Sequence, residues 1–288
     1  MGLFGRVATA MITPFDAKGH IDFPKTTQLI NYLLENGTDS LVVAGTTGES
    51  PTLSKQEKVA LFKHVVDVVE KKVPVIAGTG SYNTYDSIEL TKQAEAAGVD
   101  AVMVVGPYYN KPNQEGIYQH IKAVAENTSL PVMIYNIPGR SAVNIEPETI
   151  IRLANDIDNI VAVKEASGSL TAMTKIIAGT KDDFAVYSGD DSLTLPILSV
   201  GGSGIISVAS HVIGNEMQEM VTAFLEGNVE KAAKIHQKLL PIMSAMFMAP
   251  NPVPVKTALQ IKGLDVGSVR LPLVPLTEEE RTTLASYL

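Results

Sequence analysis

Apolar residues along this chain gather in short, nearly continuous runs separated by longer stretches of mixed polarity. The runs are Val7–Ile12, Ser40–Ala44, Val73–Ala77, Ala101–Val105, Val132–Tyr135, Ile160–Val163, Phe184–Tyr187 and Gly204–Val208. They show little apolar–polar alternation, the pattern of parallel strands buried on both faces. The stretches between them read as amphipathic helices. Ser54-Lys-Gln-Glu57 has the spacing of a capping box and opens a helical pattern through Val69. The pattern from Thr84 ends at Gly98, which suits a left-handed C-terminal cap, and Pro147 stands where a first helical residue is expected.

Eight strands, each followed by a helix, predict an α/β fold of the (β/α)8 TIM-barrel type. An open doubly wound sheet is the competing architecture. Beyond Val208 the pattern is all-helical: Asn215–Leu225, Val229–Met248, Pro254–Lys262 and Glu278–Tyr287. The expectation is a catalytic barrel over residues 1–225 and a small helical extension over residues 226–288 packed on it. No internal repeat, low-complexity segment or Gly/Ser linker interrupts the chain.

Composition narrows the function classes. With 288 residues and 45% hydrophobic content, the chain suffices for one large core. A net charge of −8, with 23 Lys and Arg scattered along the chain, argues against nucleic acid as partner. The absence of cysteine removes disulfides, thiolate nucleophiles and Cys-based metal sites. The segment from Met1 to Arg6 has no secretory pattern, and Arg6 stands where acylation after Gly2 would want Ser or Thr. No apolar run is long enough to span a bilayer. A soluble, cytoplasmic protein without a membrane partner is expected.

The candidate chemistry falls at the C-terminal ends of the strands, where a barrel builds its sites. Lys164 ends the apolar run Asn159-Ile-Val-Ala-Val-Lys164. Burial costs an ammonium its hydration and favours the neutral amine, the form that attacks a carbonyl to make a Schiff base. The alternative is a structural pair with Glu165. Gly45-Thr-Thr-Gly-Glu-Ser50 is either an ordinary turn or a site where Thr46 and Thr47 offer hydroxyls and backbone N–H groups to a carboxylate. It is no P-loop, because no lysine follows its second glycine. Tyr108 and Tyr109 are packing aromatics or site residues, and Arg140 is a surface charge or a bidentate carboxylate grip. Asp190 and Asp191 read best as helix caps. The five histidines lack ligand spacing, and no metal is expected. Tyr135, one strand from Lys164, offers a phenol, and hydroxyls such as Thr47 and Tyr109 could relay protons. A buried amine with two carboxylate-binding elements points to a keto acid.

Gly45-Thr-Thr-Gly-Glu-Ser50, Pro107-Tyr-Tyr-Asn-Lys-Pro112, Tyr135-Asn-Ile-Pro-Gly-Arg140 and Val163-Lys-Glu-Ala-Ser-Gly168 together resemble the dihydrodipicolinate synthase family. This family sits within the pyruvate-dependent Schiff-base aldolases that include N-acetylneuraminate lyase. The likeness runs from Thr9-Ala-Met-Ile-Thr-Pro-Phe15 to the C-terminal helices. It implies that Lys164 forms an imine with pyruvate, whose enamine adds to L-aspartate 4-semialdehyde in the first committed step of diaminopimelate and lysine biosynthesis. It further implies a relay of Tyr135, Thr47 and Tyr109, with Tyr109 reaching in from a neighbouring subunit. Thr46 and Thr47 would hold the pyruvate carboxylate, Gly189 and Ile206 would line its pocket, and Arg140 would grip the semialdehyde carboxylate. No cofactor is implied. The implied assembly is a homotetramer built from tight dimers, or the tight dimer alone.

Relatives also bind lysine as an inhibitor in a dimer-interface pocket. The matching positions here are Ser50, Pro51, Lys55, Lys58, Tyr82, Asp86 and Tyr108. Two lysines stand where the resemblance calls for histidines, so lysine feedback is expected to be weak or absent. The competing functions are a sister aldolase that cleaves a sugar acid and a non-catalytic small-molecule-binding barrel.

Overall fold

The computed structural model describes residues 3–288, so Gly2, weighed above as an acylation position, lies outside the described residues. Eight strands form a closed all-parallel barrel in sequence order. They are β1 (Val7–Ala10), β2 (Ser40–Val43), β3 (Val75–Gly78), β4 (Ala101–Val105), β5 (Val132–Asn136), β6 (Ile160–Glu165), β7 (Ala185–Ser188) and β8 (Gly204–Ser207). β8 pairs back onto β1 through Ala8 and Ile206, so no sheet edge remains open. The barrel expectation holds and the open doubly wound sheet does not.

Alternation along each strand separates two cores. Residues such as Leu41, Val43, Val102, Val104, Ile134 and Val163 face outward into the large apolar layer under the helices. Ala8, Val42, Ile76, Met103, Met133, Tyr135, Tyr187 and Ile206 point inward and fill the barrel. β5 and β6 run one and two residues further than their apolar cores suggest. Their polar ends find ladder partners: Ala166 N–H donates to the Asn136 carbonyl and Gly189 N–H to the Glu165 carbonyl, both at 2.8 Å.

The capping box at Ser54 and Glu57 forms as the spacing requires, and Gly98 adopts φ +87° after the helix Thr84–Ala96. The helix after β8 spans Ser210–Leu225, starting earlier than expected. Its entry is anchored from outside the helix. The buried Asp191 carboxylate accepts from Val208 N–H at 3.2 Å and Ala209 N–H at 3.0 Å. Asp190 accepts from Ser192 N–H at 3.0 Å. Asp190 thus caps the helical turn that follows it, as expected, whereas Asp191 reaches past that turn to the start of the Ser210–Leu225 helix. The helices Val229–Ala245, Val253–Ile261 and Glu278–Ala285 complete the chain. No described helix is long and apolar enough to cross a membrane.

His211 is fully buried at this β8 turn. Its Nε2 accepts from Ile12 N–H at 3.2 Å, so Nδ1 carries the proton and donates to the Val208 carbonyl at 2.8 Å. Protonating Nε2 would set two donors against each other, and burial lowers the pKa from 6.5 to about 4. Burial lowers that of His120 to about 4 as well. The unfolded chain takes up these protons near pH 6.5 and the folded chain only near pH 4. Their contribution is therefore intact above about pH 6.5 and is lost as pH falls towards 4, by roughly 3 kcal/mol per histidine. Denaturant titrations across this window should show stability falling with acid, and the slope should flatten in His211→Gln. An unchanged slope in that variant would remove His211 from the acid response.

Candidate active site

Register places the central residue. Lys164 pairs with Tyr135 on β5 and with Tyr187 on β7, and all three lie in the inward set of their strands. Lys164 is only 5% exposed, and its Nζ lies 4.5 Å from the centroid of the Tyr135 ring. Among the described residues no carboxylate lies within ion-pair distance of it. Glu165 points to the opposite face, where it accepts from Asn136 Nδ2 at 2.8 Å and Ser167 N–H at 2.7 Å. The structural Lys164–Glu165 pair is thus excluded by the period of the strand. Below the lysine, Tyr187 donates its phenol to the Gly5 carbonyl at 2.9 Å, and burial raises its pKa to about 12. Tyr187 is a floor, already engaged.

Gly189 closes the site from β7. A Cβ there would sit 3.0 Å from Lys164 Cε and 2.5 Å from Ala166 Cβ. Ile206 is fully buried in the interior layer with Tyr135 and Tyr187.

The loop after β2 is a genuine turn. Gly48 N–H donates to the Gly45 carbonyl and Glu49 N–H to the Thr46 carbonyl, both at 3.1 Å. Among the described residues, the Thr46 and Thr47 N–H groups donate to no backbone carbonyl, so both remain available to an anion. Thr47 is buried, and its Oγ1 accepts from Asn251 Nδ2 at 3.0 Å. Above the turn, a cavity of about 230 Å³ is lined by Thr46, Ser50, Pro51, Tyr108, Tyr135 and Arg140. Arg140 is exposed and also lines this cavity.

Tyr109 does not join the group within one chain. It is 90% exposed, with φ +70° turning it outward. No hydrogen bond links Tyr135, Thr47 and Tyr109 among the described residues. Five of the seven non-glycine residues with left-handed φ (Ala44, Glu49, Tyr109, Lys111, Ala142) lie in the loops after β2, β4 and β5. Backbone strain of this kind gathers where loops are shaped for function.

A model of the dihydrodipicolinate synthetase family matches residues 3–288. The 4-hydroxy-tetrahydrodipicolinate synthase of Bacillus subtilis is 70% identical over 285 residues, covering 99% of this chain and 98% of the relative. The solved dihydrodipicolinate synthase of Bacillus anthracis superposes with a TM-score of 0.98 at 66% identity, covering 100% of this chain and 98% of that one. That of Cyanidioschyzon merolae, solved with lysine bound, superposes with a TM-score of 0.98 at 47% identity, over 100% of this chain and 98% of that one. The chain belongs to the dihydrodipicolinate synthetase family.

Several of the positions expected above to form an inhibitor pocket lie together. Ser50, Pro51 and Tyr108 form the rim of the cavity, and the Tyr82 and Tyr108 rings meet edge to face with centroids 5.3 Å apart. Lys55 Nζ stands 3.4 Å from Asp86 Oδ1, which engages the one acid of the set. Lys58 is half-buried, and desolvation lowers its pKa.

Sequence reasoning missed several residues that hold this family site together. Asn136 Nδ2 donates to Glu165 at 2.8 Å and to the Asn144 side chain at 2.9 Å, while its side-chain Oδ1 accepts from Ile145 N–H at 3.0 Å. It ties β5, β6 and the following loop. Glu49 and Asn251 are buried, and the Glu49 carboxylate lies 2.6 Å from Lys256 Nζ. Lys256 carries the sequence signal used for Lys164, a lone amine in an apolar run, within Val253-Pro-Val-Lys-Thr-Ala-Leu-Gln-Ile261. Among the described residues no cluster of three or more His, Cys, Asp or Glu side chains is arranged as a metal site.

Gly189→Ala should force Lys164 aside, because Ala166 Cβ leaves no room for the added methyl. A displacement of this size is expected to slow imine formation by roughly 100-fold. Overpacking should cost about 1–3 kcal/mol. Borohydride trapping of a keto acid on the variant, with denaturant unfolding, checks both. Wild-type values for the two would show that β7 does not confine the amine.

Proposed function

We propose that this protein works as a 4-hydroxy-tetrahydrodipicolinate synthase, a lyase that condenses pyruvate with L-aspartate 4-semialdehyde. The observation that carries the reading is a buried, unpaired Lys164 against Tyr135 in a chain matched end to end by this family. The sugar-acid aldolase reading is not favoured, because the high-identity relatives are synthases.

The site suggests how the reaction proceeds. Lys164 Nζ attacks the pyruvate ketone, and loss of water gives an imine. The imine withdraws electrons, so the methyl carbon gives up a proton and becomes an enamine. The enamine carbon bonds to the aldehyde carbon of the semialdehyde, whose oxygen takes a proton. The semialdehyde amine then attacks the imine carbon, the bond to Lys164 breaks, and the ring closes. No electrons are gained or lost overall, and the lysine imine is the electron sink, so the chemistry calls for no further cofactor. Tyr135, whose ring lies against the Lys164 amine, would exchange protons at the bond to Lys164. Thr46 and Thr47 would take the pyruvate carboxylate on their unengaged N–H groups, with Gly189 and Ile206 shaping the pocket. Arg140 would hold the semialdehyde carboxylate at the cavity rim.

The outward turn of Tyr109 supports a relay completed between subunits. A tight dimer, or a homotetramer of two such dimers, is the assembly this reading requires, and the cytoplasm is where both substrates would be met. At the rim, the engagement of Asp86 by Lys55 leaves no unpaired acid of that set to receive the ammonium groups of free lysine. Inhibition by lysine should therefore be weak or absent.

Two measurements test these readings. Lys164→Ala should abolish both borohydride trapping of pyruvate and turnover in an assay coupled to the reductase that consumes the product; retained turnover would sink the assignment. Titration with lysine should leave the rate of the wild-type protein little changed, and half-maximal inhibition at sub-millimolar lysine would show the rim to be a working regulatory pocket.

A further inference from the structure

Lys256 and Glu49 form a buried ion pair that the reaction as described does not use. Lys256 Nζ lies 2.6 Å from Glu49 Oε1, donates to the Ser268 carbonyl at 2.8 Å, and stands 4.2 Å from the centroid of Phe15. Burial outweighs the attraction of Glu49 and lowers the Lys256 pKa to about 8. The other carboxylate oxygen of Glu49 accepts from Arg270 N–H at 2.9 Å. The Arg270 guanidinium donates to the Thr52 and Gly19 carbonyls, both at 2.7 Å, and also lies over the Phe15 ring, 4.4 Å from its centroid. Asn251, five residues before Lys256, donates to Thr47 Oγ1.

Four of these contacts converge on one stretch of chain. Asn251, Lys256 and the Arg270 N–H all reach the turn Gly45–Ser50, and the Arg270 guanidinium reaches Thr52 just past it and pairs with Glu57 on the next helix. Glu49 is itself in the left-handed region at φ 56°, so the turn's conformation is held against an intrinsic backbone preference. A purely mechanical staple is made as well by apolar side chains, since a buried pair must first overcome the desolvation of both charges. A charge pair adds direction: the carboxylate must meet Nζ on one side and Arg270 N–H on the other. That geometry fixes Glu49, and the turn bonds from Glu49 N–H to the Thr46 carbonyl and from Gly48 N–H to the Gly45 carbonyl carry the constraint back to the peptide units of Thr46 and Thr47.

We propose that Glu49 and Lys256 are positioning residues, and that the segment Asn251–Arg270 clamps the Gly45–Ser50 turn so that its free N–H groups meet the keto-acid carboxylate. This rests on the assignment of that turn to pyruvate. The C-terminal extension then contributes to substrate affinity and is more than a closing cover for the barrel.

The test reads pyruvate affinity separately from chemistry. Borohydride labelling of Lys164 is measured against pyruvate concentration in the full-length protein, alongside steady-state KM for each substrate and thermal melting. Lys256→Met should raise the pyruvate concentration for half-maximal labelling by roughly tenfold or more, a loss of about 1.4 kcal/mol, with a much smaller change in semialdehyde KM. Adding Glu49→Gln to it removes the stranded charge and should recover part of that loss. If Lys256→Met does not fold, Asn251→Ala removes the other arm of the clamp and should show the same selective rise. A folded Lys256→Met or Asn251→Ala that melts earlier but keeps wild-type half-saturation overturns the clamp and leaves only a staple. A wild-type chain that traps no pyruvate overturns the assignment of the turn as well, whereas normal trapping with unaffected variants defeats the clamp alone.

Discussion

Closing eight parallel strands into a barrel confines alternate residues of every strand to a small interior, and the rest of the structure depends on that confinement. Each strand must supply inward side chains that fill the space without voids. Val42, Ile76, Met103, Met133 and Ile206 do so with apolar bulk. Where the inward position nearest the C-terminal end is polar, the side chain has nowhere to go but the mouth of the barrel. Lys164 and Tyr135 occupy such positions on neighbouring strands, and their direct pairing in the register brings amine and phenol together. The same period sends Glu165 outward, to Asn136 and Ser167, and so leaves the lysine without a neutralising acid.

The site divides by rigidity. Lys164, Tyr135, Gly189 and Ile206 stand on strands or at their ends, where the ladder and two packed layers hold them. Thr46, Thr47, Tyr108 and Tyr109 stand on loops and Arg140 on the single helical turn Pro138–Ser141, several beside residues in left-handed conformation. A loop of this kind needs support from elsewhere in the fold. The turn at Thr46–Thr47 draws it from Asn251, Lys256 and Arg270, residues some two hundred positions away in sequence. The amine and the phenol are thus built into the barrel, while the turn that would grip a carboxylate is contacted by the C-terminal segment.

Two lysines illustrate what a sequence can and cannot distinguish. Lys164 and Lys256 are both single amines inside apolar runs, and local pattern treats them alike. The fold gives Lys256 a carboxylate at 2.6 Å and an aromatic face, and gives Lys164 a tyrosine and no acid. What set Lys164 apart beforehand was its place at a strand end among other polar strand ends. That is a topological argument, and it rests on barrel order following chain order.

Strand and helix periodicity, the capping box at Ser54 and the polar clusters at strand ends were legible in the sequence because each depends on neighbours within a few residues. The barrel itself was legible because eight such units in series have few ways to bury their faces. Tertiary structure alone decided the partner of Glu165, the buried pairing of Glu49 with Lys256, the hold of Asn251 on Thr47 and the outward turn of Tyr109. These depend on which side chains meet across the closed sheet, or on the backbone angle of one loop residue. Such meetings are set by register and packing over long sequence separations, and local pattern carries no information about them.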